Sequence, residues 1–247
     1  MRTLRSCLHL LFMAVTVVPW ATFVVIASLF ISRTRMYWWS AGWLKLSVRS
    51  GCWMLGIQNR VQGMENLPKG DRDGVILLVK HQSTWETFAM PAIMPHPLAY
   101  VFKKELLQIP FFGWAMARMD MIHIDRSKKR NAFRKVVEQG QRLLDQGTWV
   151  IMFPEGTRIP RGQKGEYKTG GTRLAVETGA SVIPVAVTSA KCWPRKAIVK
   201  TPGVVDFSIG PAISSAGKTA EELMREVETW IEAEMRRLDP EAYKTTT

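Results

Sequence analysis

Between Cys7 and Ile31 the chain is apolar almost without interruption, broken only by His9, Thr16, Pro19, Thr22 and Ser28. A helix needs roughly 20 such residues to cross the hydrocarbon of a bilayer, so this run must find either lipid or a sizeable core. Pro19 would kink it, which a lipid-embedded helix tolerates when its neighbours satisfy the freed carbonyl. After Arg33 and Arg35 a second stretch, Met36 to Ile57, carries Tyr37, Trp38, Trp39, Trp43 and Trp53. Lys45 and Arg49, one turn apart, share a face of that helix, and its tryptophans suit headgroup depth.

Several placements fit this start. Arg2 and Arg5 could open a secretory signal, but the apolar run exceeds the usual length and no small-x-small cleavage site follows. A single span and a two-helix hairpin dipping into one leaflet both stay open. Arginines on both flanks give no strong orientation, whereas a hairpin would keep both flanks on one anionic face. A buried core helix fits the aromatic, basic continuation less well.

The charge distribution points the same way. The first acid is Glu65, so Arg2, Arg5, Arg33, Arg35, Lys45, Arg49 and Arg60 contribute +7 of the formal +13 before any negative charge appears. Because this charge is interleaved with apolar and tryptophan-rich sequence, the expected partner is an anionic membrane surface, not nucleic acid. Cys7, Cys52 and Cys192 form no CxxC or Cys/His cluster, so neither a disulfide framework nor a metal site is indicated. A reducing compartment is the default.

From about Arg60 the pattern changes. Strand signals at 74–80, 98–102, 121–125, 148–153, 182–187 and 204–209 alternate with helix signals at 85–93, 127–146 (Ser127 as N-cap), 171–178 and 219–238. The last helix opens with a capping box, Thr219 and Glu222. The alternation predicts an α/β fold with a mainly parallel central sheet flanked by helices, preceded by an N-terminal apolar helical membrane-binding segment. The expected division is a pair of membrane-associated helices over 1–59 and an α/β domain over 60–247. In such sheets ligands gather where strands end, and His81, Asp125-Arg126 and 154–158 all fall at strand ends.

Two strings carry chemistry. His81-Gln-Ser-Thr-Trp-Glu86 follows the apolar strand Val75-Ile-Leu-Leu-Val-Lys80; His9, His96 and His123 have no acid five residues on. Glu86, in a first helical turn, could orient one ring nitrogen and leave the other to accept a proton, as in a triad whose hydroxyl belongs to the substrate. Phe153-Pro-Glu-Gly-Thr-Arg158 offers a tight turn after a buried strand, ending in a guanidinium suited to phosphate. The bland alternatives are a helix-capping histidine and an ordinary turn with a surface ion pair.

In order, these strings resemble the four motif blocks of the glycerophospholipid acyltransferases, most closely the bacterial 1-acyl-glycerol-3-phosphate branch. His81 to Glu86 is similar to the His-x4-Asp block. Lys103-x2-Leu106-x3-Pro110-x2-Gly113, leading to Ile124-Asp125-Arg126, is similar to the second. Phe153 to Arg158 matches the Pro-Glu-Gly-Thr block, and Val182-Ile183-Pro184-Val185 the fourth. Glu86 stands where that family usually has aspartate, a departure of one methylene.

The resemblance implies that His81 and Glu86 form the catalytic dyad and that Arg126 and Arg158 hold an acceptor phosphate. Glu155, Gly156 and Thr157 would shape that site, with Lys103 and Lys168 as further phosphate or oxyanion contacts. It implies acyl transfer from acyl-CoA or acyl-carrier protein to lysophosphatidic acid, on the cytoplasmic face of the inner membrane among its phospholipids. No metal or cofactor beyond the thioester co-substrate is implied. Another lysophospholipid or glycerol 3-phosphate as acceptor, and a non-catalytic basic membrane-binding module, are the rival readings. A hydrolase is disfavoured because the sequence has no Gly-x-Ser-x-Gly elbow.

Overall fold

The computed structural model describes residues 1–70, 73–124 and 129–244. Seven strands form one sheet in the order β1-β7-β6-β2-β5-β3-β4. They are β1 (Ile57–Gln62), β2 (Val75–Val79), β3 (Leu98–Lys103), β4 (Ile122–Ile124), β5 (Trp149–Met152), β6 (Ser181–Val187) and β7 (Gly203–Ile209). All neighbouring pairs are parallel except β6 with β7. The expected α/β architecture is therefore present. β2, Val-Ile-Leu-Leu-Val, is buried throughout at the centre, as a continuous apolar run in a parallel sheet should be.

Alternate side chains of the central strands feed two cores. Val75, Leu77, Val79, Trp149, Ile151, Ile183 and Val185 point to one face, which is covered by α1 (Arg2–Ala27), α2 (Arg33–Leu55) and α3 (Trp85–Ile93). Ile76, Leu78, Val150, Val182 and Ala186 point to the other, against α5 (Lys129–Asp145), α6 (Gly170–Thr178) and α7 (Ala220–Leu238). The capping box of α7 is formed, Thr219 Oγ1 accepting the Glu222 N–H and Glu222 accepting the Thr219 N–H. A short α4 (Phe112–Arg118), not anticipated from the sequence, packs against α1.

The N-terminal helices are part of the first core. Met13 of α1 and Tyr37, Ala41, Trp43, Val48 and Leu55 of α2 are buried with sheet residues in one cluster. Each large side chain buried there stabilises by roughly 1.5–3 kcal/mol. The helices also bond to each other: Trp20 Nε1 donates to the Trp39 carbonyl and Trp43 Nε1 to Thr16 Oγ1. The opposite stripe of α1, including Leu4, Leu8, Leu11, Val15 and Ile26, is exposed. At 26 residues α1 is long and apolar enough to cross a membrane.

Three sequence boundaries shift. The second helix ends at Leu55, where Gly56 adopts φ 70° against Pro202, and Ile57 begins a strand. That strand, β1, pairs in parallel with β7 and crosses the 59/60 division; its edge position leaves Gln58, Arg60 and Gln62 exposed. β4 (Ile122–Ile124) starts one residue after the expected 121–125, and Asp125 lies outside the described residues. The Ser127 cap lies outside the described residues, and α5 begins at Lys129.

Candidate active site

β2 and β5 are parallel neighbours, with Leu78 opposite Met152, so the turns that follow them emerge side by side at one edge of the sheet. Lys80 continues the β2 ladder by donating its N–H to the Val185 carbonyl, and His81 is the first residue beyond it. The chain then folds sharply into α3. Ser83 Oγ accepts the Trp85 N–H, the local bond by which a serine starts a helix.

Glu86 lies in the first turn of α3 and is fully buried. Its Oε1 lies 2.9 Å from His81 Nδ1 and accepts the Gln82 and Ser83 N–H groups, each at 2.7 Å. Three donors on one oxygen fix the carboxylate in place. An ionised carboxylate can only accept, so the ring proton sits on Nδ1 and Nε2 keeps its lone pair. The imidazole is further clamped by stacking on Phe153, ring centroids 4.0 Å apart. The arrangement can take a proton from a hydroxyl at Nε2 and stabilise the resulting imidazolium. The longer glutamate is accommodated because it spans its own turn and caps the Gln82 and Ser83 amides.

α3 is in turn braced by the N-terminal hairpin. Trp85 packs over Gly51 of α2 so closely that a Cβ there would sit 2.6 Å from the indole ring. The same indole donates to Asn59 Oδ1 of β1 and contacts Trp193.

The second turn behaves differently. Gly156, at φ 62°, lets the chain double back so that its N–H reaches the Phe153 carbonyl. Glu155 points inwards and is buried; its Oε2 accepts the His81 main-chain N–H at 2.9 Å. Its Oε1 accepts from Lys80 Nζ at 2.6 Å, and the same ammonium bonds Glu232 of α7 at 2.7 Å. Tyr167 donates its hydroxyl to Glu232. Two carboxylates thus share one fully buried ammonium. Burial pushes the Glu155 carboxyl above its ordinary value, against the opposing pull of Lys80. Burial and the nearby Glu155 and Glu232 charges also raise the Tyr167 hydroxyl. Glu155 therefore shapes the site from beneath, holding the backbone of His81.

Of the remaining expected residues, Arg158 is half-buried at the end of this turn and has no carboxylate partner among the described residues. Its neighbour Ile159 donates its N–H to the His81 carbonyl, tying the turn to the histidine. Thr157 and the Lys168 side chain are exposed. Lys103 ends β3 at the same sheet edge; its side chain, and Arg126 entirely, lie outside the described residues. Sequence reasoning missed Lys80 and Glu232. A lysine closing an otherwise apolar strand was a visible signal, since full burial demands a counter-charge. Glu232, 152 residues away, gave none.

Residues 58–188 match the Acyltransferase family of proteins. The chain is 37% identical to a 1-acyl-sn-glycerol-3-phosphate acyltransferase of Pseudomonas aeruginosa over 97% of its own length and 93% of that protein. It is 28% identical to the mouse 1-acyl-sn-glycerol-3-phosphate acyltransferase alpha over 73% of this chain and 63% of that one. Its fold superimposes on the crystal structure of the 1-acyl-sn-glycerophosphate acyltransferase PlsC from Thermotoga maritima with a TM-score of 0.79. That match covers 97% of this chain and 98% of that one at 26% identity. With a family match over more than half its length and a relative aligned nearly end to end, this chain belongs to the acyltransferase family.

Proposed function

We propose that this acyltransferase moves an acyl chain from acyl-CoA or acyl-carrier protein to the free hydroxyl of 1-acyl-glycerol 3-phosphate, giving phosphatidic acid. The observation that carries the reading is the His81 Nδ1–Glu86 Oε1 contact at 2.9 Å; the unprotonated Nε2 that it implies is the proposed base. The names of the relatives support the acceptor.

In this mechanism His81 Nε2 takes the proton of the acceptor hydroxyl as its oxygen attacks the thioester carbonyl carbon. Glu86 stabilises the imidazolium that forms. Collapse of the tetrahedral intermediate breaks the carbon–sulfur bond, and the departing thiolate takes the proton back from Nε2. No covalent acyl-enzyme is required. Arg158 holds the acceptor phosphate with the help of Arg126; Gly156 and Thr157 line the approach, and Lys103 and Lys168 are the candidate oxyanion or phosphate contacts. The exposed apolar stripe of α1 supports attachment to a membrane surface; on this reading the site works at the cytoplasmic face of the inner membrane, where a lipid acceptor meets a cytosolic donor.

The test is an acyl-transfer assay with purified protein, one labelled thioester and a panel of lysolipids and glycerol 3-phosphate. Lysophosphatidic acid should give the highest kcat/KM, and Arg158→Ala should raise its KM about tenfold with less effect on the donor. Preference for an acceptor without a phosphomonoester would overturn the reading.

A further inference from the structure

Beside the catalytic turn lies an open cavity of about 580 Å³ lined by Pro160, Arg161, Ala190, Lys191, Pro194, Arg195 and Lys196. Four of the seven are cations and none is an acid. Arg161 is forked onto Asp239 through two bonds of 2.7 Å, so it is fixed. Lys191, Arg195 and Lys196 have no carboxylate partner among the described residues, leaving their charge uncompensated. Lys196 is also held at φ 61°, a backbone region that side-chain-bearing residues seldom occupy.

The cavity is coupled to His81 from two directions. On one side Arg195 Nη1 donates to the Arg158 carbonyl at 3.0 Å, and the next residue, Ile159, bonds the His81 carbonyl. On the other, the Ala190 N–H reaches Gln82 Oε1 at 3.4 Å. A ligand seated here therefore lies against the main chain that carries the base. The reaction needs two anionic substrates at once, and Arg158 serves the acceptor phosphate. With Arg158 assigned to the acceptor, this separate group of cations is available for the phosphates of the donor.

We infer that this cavity binds the phosphate groups of the phosphopantetheine thioester donor, with Lys191, Arg195 and Lys196 as its charge contacts. The inference deepens the proposed function and rests on it for the identity of the donor. Cations arranged around an open pocket also raise the rate of donor encounter, an effect that salt screens.

The variant is Lys191→Glu/Lys196→Glu, two surface changes that leave the Arg195–Arg158 bond in place. The probes are desulfo-CoA binding by calorimetry, and KM for acyl-CoA, for acyl-carrier protein and for a short-chain, water-soluble lysophosphatidic acid. Desulfo-CoA affinity should fall at least about tenfold and the acyl-CoA KM rise in parallel, while the acceptor KM does not move. The difference should shrink in high salt. A rise for acyl-CoA alone assigns the cavity to the nucleotide phosphates; a rise for both donors assigns it to the phosphopantetheine phosphate they share. Unchanged donor constants would overturn the inference. So would a loss confined to vesicle binding or to the acceptor KM, which would make this face, with exposed Ile198 and Val199 beside it, a lipid-headgroup surface. If wild-type protein binds desulfo-CoA through these lysines but acylates no lysolipid, the acceptor reading falls and the donor site stands.

Discussion

Glu86 and Glu155 both accept a hydrogen bond from His81, one from the ring and the other from the main chain. Their supports lie on opposite faces of the sheet. Glu86 rides on α3, which is pressed against α2 through Trp85 over Gly51. Glu155 is held by Lys80, which α7 reaches through Glu232. The first brace is apolar packing that sets where the proton-accepting nitrogen points. The second is a buried ion cluster that sets where the residue itself sits. Damage to the first should show in turnover, and damage to the second in stability.

The largest effect tests the ring side. His81→Ala should reduce kcat about a thousandfold with a much smaller effect on the thermal midpoint, because the Phe153 stack is lost but Glu86 keeps its two main-chain donors. Glu86→Gln should fall by a smaller factor, since a neutral amide cannot stabilise the imidazolium, and Glu86→Asp should recover part of it. If all three variants were equally impaired, Glu86 would be a structural group and the ring-side account would fail.

Lys80→Met tests the other brace. It strands Glu155 and Glu232 without their shared cation, and chemical denaturation should show a loss of about 3–5 kcal/mol. An additional Glu232→Gln change should restore part of that loss, because one buried charge disappears. A stable Lys80→Met protein with normal kcat would show that the cluster supports nothing.

A gentler break in the first brace is Gly51→Ala. The added methyl would meet the buried Trp85 indole, so a cost of about 1–3 kcal/mol and a modest fall in kcat are expected. Equal stability to wild type would mean that α2 and α3 separate easily.

The smallest effect is a pH dependence. The Glu155 carboxyl titrates above its ordinary value in the folded protein, so its favourable contribution is complete below the unfolded value and is lost as pH rises through the folded one. Glu155→Gln keeps the neutral form at every pH. The wild-type midpoint, relative to this variant, should therefore decline from acid towards neutral pH. A relative midpoint that climbs over that range would reverse the assigned direction.

Much of the ring side was legible in sequence. The apolar run Val75 to Val79 announces a central strand, and a histidine directly after it, five residues before a carboxylate, has little choice of position. The other brace was hidden because its partners are joined only by the fold: Lys80 and Glu232 meet through the packing of α7 on the sheet. β1 was hidden for a different reason, since a polar edge strand lacks the apolar run that marks its neighbours. The N-terminal stretch was read correctly as helical and apolar. Its composition could not separate lipid from core, because the hairpin has two apolar faces: one stripe of α1 is exposed while Met13, Tyr37 and Trp43 enter the sheet's core. Removing it would uncover the face on which α3 rests.

The central claim is that His81 presents an unprotonated Nε2 because Glu86 keeps the ring proton on Nδ1. Isotope-edited nitrogen NMR of the histidine side chains, assigned by comparison with His81→Asn, reads that tautomer directly. The account predicts that neutral His81 carries its proton on Nδ1, and that Glu86→Gln mixes the two tautomers. A proton found on Nε2 in the wild-type protein would contradict it.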